Sequence, residues 1–190
     1  LRIVGFSGSL RAGSYNSALL RAAQQFVAPD GVLEIASIAE VPLYNFDVES
    51  SAFPPAVAEL KDRIAAADGL LISTPEYNNS IPGVAKNVVD WLSRPADDAD
   101  RVFKGLPVAV MGTSPSRFGT ALSQNAWLSV LRTLETRPYW DGRLVIPNAG
   151  KVFDESGSLV DAKVLGFLET FIAGFFEFAR RESRPRALSS

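Results

Sequence analysis

Five short apolar runs recur along this chain, and a segment of helical spacing follows each. The runs are "RIVGFS" (Arg2–Ser7), "VLEIAS" (Val32–Ser37), "GLLIST" (Gly69–Thr74), "PVAVMGT" (Pro107–Thr113) and "RLVIP" (Arg143–Pro147). After the first, Tyr15, Ala18, Leu19, Ala22, Ala23 and Phe26 fall on one helical face. Helical spacing returns at Val57, Leu60, Ile64 and Ala67, at Val84, Val88, Trp91 and Leu92, over Ala121 to Leu134, and over Ala162 to Arg180. Asn45 to Pro55 reads as a loop. Parallel strands need long crossovers, usually helices, and strands buried on both faces read as continuous apolar runs. The alternation therefore predicts an α/β fold, a five-stranded parallel sheet with helices on both faces. Ligands of such sheets gather at the carboxyl ends of the strands, where strand order reverses. Attention falls on the loops after strands one, three and four.

The 190 residues suit one domain, expected over residues 1–182, with 183–190 a solvated or frayed tail. The chain has no cysteine and no histidine, which removes Ser-His and Cys-His catalysis, thiol redox chemistry and the common zinc sites. An enzyme so composed draws its reactive groups from a cofactor. A net charge of −2 gives no bulk attraction to nucleic acid or anionic membrane. The most apolar segment, Val164 to Phe178, is interrupted by Glu169 and Glu177 and is too short to span a bilayer. A cytoplasmic location is expected.

The loop after strand one, "SGSLRAGSYNS" (Ser7–Ser17), offers four serine hydroxyls, the amide of Asn16 and the cation of Arg11, then enters a helix N-terminus. Unpaired N–H groups and the positive dipole end attract anions there. The G-x-G-x-x-G pattern of pyrophosphate sites is absent, as is the P-loop pattern, and no acid closes the second strand to hold a ribose. The loop favours a terminal phosphate over an ordinary capped turn. The loop after strand three, "STPEYNNSIPG" (Ser73–Gly83), is stiffened by Pro75 and Pro82, and Asn78 and Asn79 tolerate turn conformations. Such a loop can meet a planar heterocycle edge-on, with Tyr77 along the ring. The third loop, "GTSPSRFGT" (Gly112–Thr120), is small and hydroxyl-rich, which lets a flat ligand lie close.

"GSLRAGSYN" (Gly8–Asn16) followed by "PEYNNSIPGVAKNVVDW" (Pro75–Trp91) resembles the NADPH-dependent FMN reductase family, which includes quinone, chromate and azo-dye reductases. The resemblance implies a flavodoxin-like three-layer sandwich with strand order 2-1-3-4-5, and a bound FMN. The phosphate would sit on Ser9, Arg11, Ser14, Asn16 and Ser17. The isoalloxazine would lie against Pro75, Glu76, Tyr77 and Asn78, with Ser114 and Ser116 closing the other side. Family members often have glycine where this chain has Ser116. NADPH or NADH would deliver electrons through flavin N5 to a small acceptor such as a quinone, in two half-reactions at one site, and no protein acid or base is required. A flavodoxin-like electron-transfer or FMN-binding protein is the alternative; the former is usually strongly acidic, which a charge of −2 does not match. The resemblance also implies a homodimer, in some members a tetramer, formed around the helix Val84–Ser93 with Trp91. The final helix carries Phe167, Phe171, Phe175, Phe176 and Phe178, consistent either with self-association or with a helix sunk in the core. Arg94, Arg117 and Arg143 are candidates for contacts to the 2′-phosphate of NADPH.

Overall fold

A computed structural model describes residues 1–182; the expected tail, 183–190, lies outside the described residues. The chain runs β1 (Arg2–Ser7), α1 (Tyr15–Ala23), β2 (Val32–Ala36), α2 (Phe46–Ser51), α3 (Pro55–Ala65), β3 (Gly69–Ser73), α4 (Gly83–Leu92), α5 (Ala99–Phe103), β4 (Pro107–Thr113), α6 (Ala121–Thr133), β5 (Arg137–Pro138), β6 (Leu144–Ile146), α7 (Ala149–Val152) and α8 (Ala162–Arg181). The strands pair in parallel in the order β2-β1-β3-β4-β5, with β6 also on β4.

Alternate strand residues supply opposite faces, as the two-residue period of a strand requires. Ile3, Leu71, Ala109 and Met111 pack with α1 and α8 on one side. Val4, Phe6, Leu70, Ile72 and Val108 pack with α3, α4, α5 and α6 on the other. Every residue of β3 is buried, which fits its central place and its unbroken apolar sequence. Full burial of each such Leu or Ile contributes about 1.5–3 kcal/mol.

The sheet has six strands where the sequence predicts five. The edge position beside β4 is shared: Arg137 and Pro138 pair with Pro107 and Val108, and Leu144 to Ile146 pair with Met111 to Thr113. Arg137–Pro138 carries no apolar run, and proline donates nothing to a ladder, so the first piece left no periodic signal. The segment expected to be a loop at 45–55 contains α2, started by Asn45, whose side chain accepts from Asp47 N–H (2.8 Å).

Helix α8 buries Leu168, Phe171, Ile172, Phe175 and Phe176 and leaves Phe167 exposed. Its aromatic surplus is mostly absorbed by the core. It starts on Asp161, which accepts from Val164 N–H (2.9 Å), and ends on Arg180 and Arg181, favourable at the negative end of the dipole. No helix among the described residues is long and apolar enough to cross a membrane.

Candidate functional site

Strand β1 has β2 on one side and β3 on the other, so chain direction across the sheet reverses there. A cleft of about 310 Å³ opens at that place, at the carboxyl ends of β1, β3 and β4. Of the residues singled out in the sequence, Ser9, Arg11, Ser14, Asn16, Pro75, Glu76, Tyr77 and Ser114 line it. Thr113 and Pro115, the neighbours of Ser114, also line it, as does Tyr15, which was not anticipated. Ser17, Asn78 and Ser116 are not brought into it.

The first loop leaves its polar groups open. Ser14 caps α1, its hydroxyl accepting from Ser17 N–H at 3.4 Å, and its own proton stays available. The N–H groups of Tyr15 and Asn16, in the first turn of α1, have no intrahelical acceptor. Ser9 accepts from Arg11 N–H (3.3 Å). The Arg11 guanidinium is exposed, lies 5.7 Å from the Tyr15 ring centroid, and is in no ion pair found among the described residues. This is a set of donors with one unspent positive charge.

Asn16 does something else with its side chain. Its amide N–H donates to Thr113 carbonyl (2.9 Å), while its carbonyl accepts from Thr113 N–H (3.0 Å) and Ser73 hydroxyl (3.2 Å). The side chain is buried and braces α1 against β3 and β4. Its contribution toward an anion is therefore its backbone N–H.

The second loop is internally committed. Tyr77 and Ser80 exchange backbone hydrogen bonds across Asn78 and Asn79, at φ +49° and +60°. Two consecutive positive φ values make a type I′ turn, which asparagine tolerates best after glycine. The turn points Asn78 away from the cleft, into solvent. Glu76 reaches to the N-terminus of α6 and accepts from Leu122 N–H (2.8 Å) and Ser123 N–H (3.0 Å). Thr120, the cap residue of α6, makes no side-chain cap, so Glu76 caps the helix from another loop and its charge meets the positive dipole end. The Thr74 hydroxyl donates to Pro75 carbonyl (2.9 Å), contacts Ser123 hydroxyl (3.0 Å) and accepts from Trp127 indole N–H (3.2 Å). Pro75 is thereby fixed, and the Gly8 position sits so close that a Cβ there would lie 3.0 Å from its ring.

In the third loop, Ser114 and Ser116 hydroxyls bond each other (2.9 Å), and Ser116 accepts from Phe118 N–H (3.3 Å). Ser116 shapes the turn; glycine would leave that N–H without this acceptor. Gly112 allows close approach of β3 to β4: a Cβ there would lie 2.1 Å from Thr74 carbonyl oxygen.

FMN fits this lining. The anion end of the cleft has hydroxyls, two free helix N–H groups and Arg11; the flat walls are Pro75, Tyr77 and Pro115. Thr113 lines the cleft, and its hydroxyl is buried without a hydrogen-bond partner among the described residues. A buried orphan hydroxyl calls for a ligand or water.

Of the three arginines considered for the donor, Arg94 is spent on Glu49 (3.2 Å) and Tyr44 (3.2 Å). The Tyr44 hydroxyl, which donates to Glu49 at 2.7 Å, is the main reason that the Glu49 carboxyl titrates below its usual range. Arg117 stacks on Phe118 (4.7 Å), and Arg143 lines a separate cavity between α6 and the divided sheet edge. Trp91 is fully buried, its indole donating to Pro42 carbonyl (2.8 Å), so it serves the chain's own packing.

The model of the NADPH-dependent FMN reductase family matches residues 1–151. An NAD(P)H-dependent FMN reductase of Pseudomonas aeruginosa is 42% identical over 181 residues, covering 95% of this chain and 96% of that protein. A 2-hydroxy-1,4-benzoquinone reductase of a Burkholderia species is 36% identical over 180 residues, covering 95% and 97%. Among solved structures, the flavoenzyme NAD(P)H:(acceptor) oxidoreductase FerB of Paracoccus denitrificans superposes with a TM-score of 0.86 at 33% identity, covering 96% of this chain and 99% of that one. The family match over residues 1–151 and a relative 42% identical along nearly the whole chain place this protein in the NADPH-dependent FMN reductase family.

Proposed function

We propose that this protein is an FMN-dependent NAD(P)H oxidoreductase that reduces small quinone-like acceptors. The observation that carries the reading is the contrast within one cleft: unspent donors and a cation on the α1 side, and a fixed proline-tyrosine wall on the β3 side. FMN, when bound, supplies the two-electron chemistry for which the chain has no side chain of its own. Ser9, Ser14, Arg11 and the Tyr15 and Asn16 N–H groups hold the phosphate. Pro75 and Tyr77 place the ring, and Ser114 borders it from the third loop. Glu76 is committed to α6 and is not assigned as an acid or base. Residue positions, not proton transfer, are the protein's contribution, through alignment of donor and acceptor at one open face.

A homodimer is the assembly we propose. The segment carrying Leu43 and Phe46 is clamped to α4 by Trp91 and Asn87, both donating to Pro42 carbonyl, and both apolar side chains stand exposed. Sedimentation at micromolar concentration tests it, a monomer being the contrary result.

The test of function is direct. Purified protein should be yellow, or become so with FMN, bleach when mixed anaerobically with NADPH, and recover colour on addition of benzoquinone. Protein that stays colourless after soaking in excess FMN and gel filtration overturns the reading.

A further inference from the structure

The β1–α1 loop has a second side. On it lies a larger cleft, about 600 Å³, between α1 and the carboxyl end of β2. Ser9 and Arg11 line both clefts, so the two adjoin on either side of the loop. The polar lining is Ser7, Ser17, Arg21, Gln24 and Ser37 in addition to the shared pair, and no carboxylate is in it. Ser17, Arg21 and Gln24 follow at spacings of four and three, one face of a helix. Gln24 ties that face to β2 by donating to Leu33 carbonyl (2.9 Å). Arg21 is exposed and in no ion pair found among the described residues. Ser7 is buried, and its hydroxyl has no hydrogen-bond partner among the described residues. Leu10 and Ile38 add apolar wall. Size, unspent guanidinium groups and an orphan hydroxyl describe a site for a phosphorylated molecule with a flat apolar part.

The end of β2 sharpens this. In dinucleotide-binding α/β folds an acid there holds the ribose diol of NAD, and an arginine accommodates the 2′-phosphate of NADP. Here the strand is followed by Ser37, whose hydroxyl accepts from Ala39 N–H (3.2 Å) and keeps its proton to donate. The one acid of β2, Glu34, is held by Arg2 (2.6 Å) and Arg63, away from this end.

We infer that this second cleft receives the adenosine 2′-phosphate of NADPH, with Arg21 as the residue that distinguishes NADPH from NADH. The inference rests on the reductase reading for the nicotinamide end alone. The flavin cleft and the adenosine cleft share Arg11, so the donor would cross the loop at that residue.

Calorimetric titration with 2′,5′-ADP and with 5′-AMP tests it on wild type, Arg21→Ala and Ser37→Asp. Wild type should bind 2′,5′-ADP at least tenfold more tightly than 5′-AMP. Arg21→Ala should lose about tenfold or more of the 2′,5′-ADP affinity with little change for 5′-AMP. Ser37→Asp should weaken 2′,5′-ADP similarly, by placing a carboxylate against the phosphate. In steady state, the same variants should raise KM for NADPH and leave KM for NADH near its starting value. Wild type that fails to prefer 2′,5′-ADP, or an Arg21→Ala that binds it as wild type does, overturns the assignment. So does an Arg21→Ala that loses both nucleotides equally, or that loses bound FMN. If wild type itself binds no FMN, the reductase reading fails, while the 2′,5′-ADP titration still decides this site.

Discussion

The loops after β1 and β3 face each other across one cleft and are built on opposite plans. The first keeps the Arg11 cation and two helix N–H groups unspent, while the Ser9 oxygen accepts from Arg11 N–H and, at 3.5 Å, from the Tyr77 hydroxyl across the cleft. The second spends nearly everything: Glu76 on α6, Thr74 on Pro75 and Trp127, and Tyr77 on Ser80. A charged phosphate is recognised by donors that are free to close on it; a planar ring is recognised by a wall that does not move. Substitutions on the two sides should therefore read out differently, in binding on one side and in stability on the other.

The largest effect is expected at Gly112. A methyl group there meets the Thr74 carbonyl at 2.1 Å, and that backbone atom cannot swing away. Gly112→Ala should cost about 3 kcal/mol in denaturant unfolding, because strands must part. A stability equal to wild type would show that the wall yields. Next comes Arg11→Ala, which should weaken FMN about tenfold to a hundredfold and leave the unfolding midpoint of the apoprotein unchanged. A fall in apoprotein stability with FMN affinity preserved would reverse the contrast between the loops. Third, Glu76→Ala strips two α6 N–H groups of their acceptor and should cost about 1–2 kcal/mol, with Glu76→Gln recovering much of it. Equal losses in the two variants would mean that charge, not capping, matters.

The smallest effect concerns pH, far from the cleft. Arg101 first, and Lys61 second, hold the Asp98 carboxyl at about 2, below its ordinary 3.8. Lys61 is buried and bonds Asp98 at 2.7 Å. A depressed carboxylate stabilises the fold fully above its unfolded pKa and loses that contribution as pH falls through the folded value. Stability should therefore decline between about pH 4 and pH 2 in wild type, and Asp98→Asn should flatten that part of the profile. A profile unchanged by the substitution would remove Asp98 from the acid response.

Much of this was legible in the sequence because it rests on local signals. Short apolar runs marked β1 to β4, and paired loops marked the cleft. The rest depends on contacts between distant residues. Glu76 reads as a solvated or ring-facing acid until α6 is seen to lack its own cap. Asn16 reads as a phosphate ligand until Thr113 is seen beside it. Ser17 lies at helical spacing from Arg21, a clue to the second cleft that was present in the sequence but had no meaning without β2 alongside. Arg137–Pro138 had too few residues to carry any period at all.

The brace made by Asn16 has a bearing on synthesis. Its bond to Ser73 joins residues 57 apart and its bonds to Thr113 join residues 97 apart, so an emerging chain can tie α1 to β3 first and completes the brace only when β4 follows. That side of the cleft is thus finished only after more than half of the chain has been made, although the polar groups of the β1–α1 loop are among the first to be translated.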